Sequence, residues 1–458
     1  MGRFIRMRYK VAFIILGLIV FLSLLVFSFR EKPDKAVADL IRSAAADGKL
    51  AYKLTEPEEL ETLLGPPLSK FKPEGPGGLE TVILQYRGIN AVFTRMKNYP
   101  VPYTLKSISV GGRSIDIGRK RPILLKKEAD IRKFDPFWGF EDASLVNLDL
   151  RKHGEFLHTI PFDSRTKWPE PNKMPEGFDP ARLLEEGKNQ GLGIRKLHEQ
   201  GIDGRGVRIA IIDQPLLRNH IEYADKISHY QAKGLLVKFS SPKMHGPPVA
   251  SIAVGKTCGV APGAGLYYYA LRMTSMPDNQ VYCDIIDKII QLNESATISE
   301  QIRVVSISTG MFPQQAHFDR WKETLANADK HRILVVTCDP ALLKYGTLER
   351  IPGKDADDPS SYKPGIYSHK DAVLMVPAGN RTTASCEGPQ VYTYWTNGGM
   401  SWAAPYLAGL AALAYQVDPK IEPEKIIQLW IETAVKTDAG PVVNPLGFIE
   451  AVKKSAKI

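Results

Sequence analysis

Residues 11–29, VAFIILGLIVFLSLLVFSF, carry no charged side chain. At about 1.5 Å per residue, a helix over this run reaches roughly 28 Å, the depth of a bilayer's hydrocarbon core. No second run of this kind occurs in the 458 residues. A polytopic membrane fold is therefore excluded, and the rest of the chain is expected to fold in water beside one span. Arg3, Arg6, Arg8 and Lys10 precede the run. The positive-inside rule then makes residues 1–10 a cytoplasmic basic tail and places everything after Arg30 outside the cell. A cleaved signal peptide would use the small residues Ala36-Val37-Ala38. The apolar run is longer than a usual signal core, however, and Arg30-Glu31-Lys32 and Asp34-Lys35 intervene. The expectation is an uncleaved, single-pass anchor in the cell membrane with the downstream folded region extracellular.

The composition of the whole chain is that of a globular protein, 44% hydrophobic and 24% charged. It excludes a disordered chain or a disulfide-dense mini-scaffold. The net charge of +10, from 60 Lys+Arg against 50 Asp+Glu, is modest for this length. No dense basic run with interleaved aromatics appears, so nucleic acid is not an expected partner. Cys258, Cys283, Cys338 and Cys386 lie far apart and form no CxxC pair, so a zinc or redox centre is not expected. Disulfides and buried free thiols both remain open on this reading.

Residues 30–55 are polar and mixed, and read as a stalk with a short helix in AVADLIRSAAADG. Residues 56–175 read as an N-terminal α+β region, either a prodomain or a binding module. EPEELETLLG has a helical pattern that Pro66-Pro67 stops. TVILQYRGINAVFTR and YTLKSISVGG alternate like strands. The Pro-rich WPEPNKMPEGFDP marks a domain boundary. Over residues 180–458 strands and helices alternate, from VRIAIID through RVVSIST and ILVVTC to the apolar helix SWAAPYLAGLAALAYQV. That order predicts an α/β fold with a mostly parallel sheet. Functional groups in such folds collect at the carboxyl ends of strands, where Asp213, Ser308 and Asp339 fall.

Three of these segments can be read chemically. Asp213 ends a buried apolar strand, where a carboxylate needs a donor partner. His245 opens a helix 32 residues later, and Ser401 opens another 156 residues after that. Gly398-Gly399 before Ser401 lets backbone approach closely, and a helix start offers free N–H groups. Brought together, Asp, His and Ser make an oriented base and an activated hydroxyl. The order Asp, His, Ser with gaps near these values is that of one triad architecture, with gaps of about 32 and 157.

On these segments residues from about 190 to 418 resemble the catalytic domain of the subtilisin-like (subtilase) serine peptidases. GIDGRGVRIAIID resembles the family's run into its catalytic Asp, HGPPVASIAVG its His segment, and GGMSWAAPYLAGLAAL its nucleophile segment. RVVSISTG resembles the strand that lines the substrate cleft. The resemblance implies a three-layer subtilisin-like fold and a serine endopeptidase acting on protein or peptide substrates. It makes Asp213, His245 and Ser401 the catalytic triad and Ser308, Thr309 and Gly310 substrate-binding residues. No cofactor is required. Ca²⁺ is possible at Asp355, Asp357 and Asp358, but their loop matches no known ligand spacing and reads as a solvated acidic turn.

The sequence also departs from the family pattern. Gln214-Pro215 follows Asp213 where Ser/Thr-Gly is usual, Pro247-Pro248 replaces Thr-His, and Met400 replaces Thr. The family's Asn oxyanion donor would fall at Asp339, after ILVVTC. An ionised carboxylate has no proton to donate and repels an oxyanion. Asn380, in the local sequence VPAGN, is the rival candidate. The alternative function is accordingly a catalytically impaired subtilase-fold binding or scaffold protein. A third reading makes residues 56–170 the working, protein-binding part, regulated by the downstream domain.

Overall fold

The computed structural model describes residues 33–47, 49–73, 79–96, 101–115, 123–134, 139–238, 240–272, 278–368 and 371–456. The anchor expected at 11–29 lies outside the described residues. Among the described residues no helix is long and apolar enough to cross a membrane. The chain divides into two units. One comprises residues 1–154 and 166–176, the other residues 155–165 and 177–458.

The smaller unit is a five-stranded antiparallel sheet with two helices. Its strands run in chain order across the sheet, Ser69–Phe71, Leu79–Tyr86, Ile89–Met96, Thr104–Val110 and Arg113–Ser114. The two-residue spacing of Val82, Leu84 and Tyr86, and of Ile89, Ala91 and Phe93, turns one face to the core. The helix Lys35–Ala46 starts where Asp34 accepts a hydrogen bond from the Ala36 N–H at 2.7 Å. Its Ala38, Ile41 and Ala44 recur at helical spacing and are buried in one cluster with Leu84, Phe93 and Ile108. Part of the segment read as a stalk is therefore core, because its small apolar residues lie on a single helical face. The second helix, Pro57–Leu64, has a proline in its first turn and closes its start with Glu59 accepting from the Glu56 N–H.

The larger unit is built on a parallel five-stranded sheet. The order across it is Ile227–Ala232, Gly265–Ala270, Arg208–Asp213, Ile302–Ile307 and Leu334–Thr337. Ile209 and Ile211 pack into one core, Ala210 and Ile212 into the other, so the central strand feeds both faces. Helices Gly246–Val254 and Met400–Val417 cover the first face, with Gln280–Glu294 and Phe318–Lys330 on the second. A second sheet orders Tyr362–Pro364, Tyr345–Arg350, Leu374–Gly379, Gly440–Val442 and Val435–Thr437, with its three inner strands parallel. This is an α/β arrangement with helices on both faces of a parallel sheet.

One feature was not legible locally. Phe162–Asp163 adds to the hairpin Arg381–Ala384/Tyr392–Trp395 as a third antiparallel strand. Residues 155–165 lie within the stretch assigned above to the N-terminal region, yet they belong to the larger unit. Phe162 stacks on Tyr394 with ring centroids 5.2 Å apart, and Asp163 forms an ion pair with Arg165. The proline-rich boundary signal at 168–180 marks only the chain's last crossing between units.

Candidate active site

The sheet order makes the site. Asp213 ends the central strand opposite Ala270, and Ile212 pairs with Ile307 on the other side. Ile307 in turn pairs with Thr337. Asp213, Ser308 and the pair Cys338-Asp339 therefore emerge side by side from three adjacent strands, all at their carboxyl ends. Helices that return over one face bring in the other two groups. His245 is the N-cap of Gly246–Val254, and Ser401 is the second residue of Met400–Val417. Pro247 and Pro248 sit in the first helical turn, where a missing N–H costs no intrahelical bond. Gly246 is required: a Cβ there would lie 2.6 Å from both the Gln214 carbonyl oxygen and the Tyr268 hydroxyl.

Asp213 and His245 form a tight pair. Asp213 is fully buried, and its Oδ1 lies 2.7 Å from His245 Nδ1. An ionised carboxylate can only accept, so Nδ1 carries the proton and Nε2 is left as the basic nitrogen. The same Oδ1 accepts from the Gln214 N–H at 2.6 Å, so Gln214 at this turn serves the carboxylate by its backbone. Asp213 Oδ2 has no hydrogen-bond partner among the described residues. Burial of the imidazole works against its charged form, but the charge and hydrogen bond of Asp213 outweigh this. The net effect holds the His245 pKa above the usual 6.5. Trp402 walls the imidazole at a ring separation of 5.2 Å. Motif spacing did not single Trp402 out, although its position directly after Ser401 was visible.

Ser401 is held differently. Its Oγ donates to the Ser308 carbonyl at 3.2 Å, while Ser308 Oγ donates to the Ser401 carbonyl at 3.1 Å. Pro405 explains why that carbonyl is open. A helical N–H at 405 would bond the carbonyl four residues earlier, and proline has none. Among the described hydrogen bonds Ser401 Oγ makes none to His245. Rotation about its χ1 would release the hydroxyl from the Ser308 carbonyl. The Ser401 N–H lies in the first helical turn, without an intrahelical acceptor, and is available to a developing oxyanion. Gly398 keeps the loop before it tight, since a Cβ there would lie 2.1 Å from Ala378 backbone.

Thr309 and Gly310 follow the strand Ile302–Ile307 after a tight turn, in which the Thr309 N–H donates to the Ile307 carbonyl at 2.9 Å. The Thr309 carbonyl accepts from the Cys338 N–H at 3.1 Å, and a Cβ on Gly310 would strike the Phe312 ring at 2.8 Å. The Cys338 thiol contacts Ser401, and burial pushes it up to about 12. It stays protonated and offers no rival nucleophile. Asp339 is buried next to it. Its Oδ1 accepts from the Ala341 N–H at 2.9 Å, and its own N–H donates to Thr337 Oγ1 at 3.0 Å. It therefore acts as an acceptor in a turn and presents no side-chain donor.

Asn380 has a left-handed backbone, φ +50°, directly after Leu374–Gly379. Its amide donates to the Arg350 carbonyl at 2.7 Å and accepts from Tyr394 at 3.2 Å. Its described bonds hold a turn and do not reach the Asp213–His245–Ser401 region. The sequence VPAGN reads as a strand followed by an αL turn, for which Asn is well suited.

Asp355 and Asp358 accept from backbone N–H groups in local turns, whereas Asp357 accepts from the distant Gly193 N–H at 2.9 Å and pairs with Lys196 at 3.2 Å. Among the described residues no group of three or more possible metal ligands occurs. Cys258, Cys283 and Cys338 are free thiols, and Cys386 Sγ donates to Glu387 Oε1 at 3.6 Å.

Comparison with known proteins adds a family likeness. Residues 204–396 match the model of the subtilase family. The match contains Asp213, His245, Ser308 and Asp339 and stops short of Ser401. Among solved structures, the chain is similar to the A-subunit of the AB5 toxin from E. coli, at 14% identity and a TM-score of 0.47, covering 58% of this chain and 98% of that one. It is also similar to proteases from Pseudoalteromonas arctica, at 16% identity and a TM-score of 0.44, covering 60% and 98%. A third likeness is to the prenylagaramide maturation protease PagA, at 20% identity and a TM-score of 0.43, covering 57% and 98%. The likeness to the subtilase family is thus carried by residues 204–396, less than half of the chain.

Proposed function

We propose that this chain is a membrane-anchored, extracytoplasmic serine endopeptidase. The observation that carries the peptidase reading is the 2.7 Å contact between His245 Nδ1 and Asp213 Oδ1, which leaves Nε2 as the basic nitrogen. In the proposed reaction Ser401 Oγ attacks a peptide carbonyl, and His245 takes its proton and passes it to the leaving amine. Asp213 orients the ring and stabilises its charged form. The substrate backbone pairs as an added strand along Ser308–Gly310. Support for the anchor comes from the uncharged run 11–29 and the four preceding cations alone.

One oxyanion donor, the Ser401 N–H, is in place, while Asp339 supplies an acceptor at the position of the second. Turnover is then limited by that missing donor. The same Asp339, together with the turn of Ser401 Oγ toward Ser308, favours the second reading of a catalytically impaired binding or scaffold protein. A fluorophosphonate probe on the full chain in detergent separates the two. Labelling that disappears in Ser401→Ala and grows with pH through neutrality supports the peptidase. Folded protein that is unlabelled from pH 4 to 9 supports the binding protein.

A further inference from the structure

A cavity of about 350 Å³ flanks the Asp213–His245 pair. Its walls are Gln214, Pro215, Val237 and Leu271, and Lys243 and Arg272 stand at its polar side. Both cation-bearing segments are pinned to the end of the Asp213 strand. The Lys243 N–H donates to the Pro215 carbonyl at 2.9 Å, and the Leu271 N–H donates to the Asp213 carbonyl at 2.7 Å. Pro215, Val237 and Leu271 are buried, whereas Lys243 and Arg272 are exposed. Neither cation has an ion-pair partner among the described residues.

The surrounding sequence reinforces this charge. No Asp or Glu occurs between Asp225 and Asp278, while Lys226, Lys233, Lys238, Lys243, Lys256 and Arg272 do. The nearest carboxylate to the cavity, Asp213, is already committed to His245 and the Gln214 N–H. We propose that this cavity selects an acidic side chain of the peptide substrate, its methylene stem against Pro215, Val237 and Leu271 and its carboxylate between Lys243 and Arg272. The volume admits a side chain entered from an extended substrate, and two cations lining one cavity favour a carboxylate over an isosteric amide. Solvated lysines elsewhere on the surface serve solubility. These two differ in sharing one walled cavity, with Lys243 two residues before the catalytic base.

The inference rests on the peptidase reading, and the test separates the two. The full chain would be assayed on internally quenched peptides that differ only by Glu against Gln, moved through each position beside the scissile bond. At one position kcat/KM for Glu exceeds that for Gln by about tenfold, and the ratio shrinks as salt rises from about 0.05 to 0.5 M. Lys243→Gln with Arg272→Gln brings the ratio to about one. Lys243→Glu with Arg272→Glu turns the preference toward Lys peptides. Cleavage with no Glu preference at any position, or a preference that survives both double replacements, overturns the inference and leaves the peptidase intact. No cleavage of any peptide, with no fluorophosphonate labelling, removes both.

Discussion

The two halves of the site are held by different forces. Asp213 and His245 are locked by charge: a buried carboxylate, a short hydrogen bond and an imidazole only 16% exposed. Ser401 is locked by backbone: a reciprocal pair of hydroxyl-to-carbonyl bonds with Ser308, made possible by the gap that Pro405 leaves in its helix. On the proposed peptidase reading, His245 is tuned before substrate arrives, whereas Ser401 is turned aside toward Ser308. A charge-held group responds to pH and to neighbouring charge. A backbone-held group responds to packing and stability. The contrast predicts which substitutions change the chemistry and which change the fold.

The largest effect is expected at the nucleophile. Ser401→Ala removes about 10⁶ of kcat with the fold intact, and residual hydrolysis within tenfold of wild type would place the chemistry elsewhere. Asp213→Asn comes next, at about 10⁴ in kcat, because Asn favours the wrong imidazole tautomer. Its pH profile sharpens the comparison. His245 must be neutral to accept a proton, and its pKa is held above 6.5 by Asp213. Activity therefore rises with pH through that raised value in the wild type. Without the Asp213 charge, burial alone acts on the ring and the rising limb moves to lower pH. A limb that stays in place would show that another group titrates.

Asp339→Asn is expected to raise kcat by about a hundredfold, by putting a side-chain donor where an acceptor now sits. Unchanged or lower turnover would show that the acceptor serves another purpose there. Ser308→Ala is the smallest effect and belongs to the other class. It leaves the Ser401 carbonyl without its donor, costing about 1–3 kcal/mol of stability. Thermal unfolding would register roughly 2–4 °C for each kcal/mol in a unit of this size. A tenfold loss of kcat with unchanged melting would assign Ser308 to substrate instead.

The elements around the site were legible because each carries a local signal. VRIAIID alternates between two cores and must be a central strand of a covered sheet. The helix Met400–Val417 is buried on all sides from Trp402 to Tyr415, as an apolar run without charged residues requires. Asn380 misled because a local triplet, AGN, describes a turn as well as a donor, and only the bonds to Arg350 and Tyr394 tell them apart. Phe162–Asp163 gave no signal at all: two residues have no periodicity, and their strand exists only through pairing with Tyr392–Trp395. The helix Lys35–Ala46 was visible, but its burial was not, because the residues it packs on lie tens of positions away.

By itself, then, the chain's order of residues determined the parallel α/β layout, the triad types and their spacing, the glycines that permit close approach, and the uncharged run at 11–29. These follow from periodicity, chirality and hydrophobicity, which act over a few residues. The tertiary structure alone decided the rest. It set the tautomer and raised basicity of His245, the rotation of Ser401 toward Ser308 and the commitment of Asn380 to a turn. It also gathered Lys243 and Arg272 on one cavity. Those outcomes depend on contacts between residues far apart in sequence, whose distances no local pattern encodes.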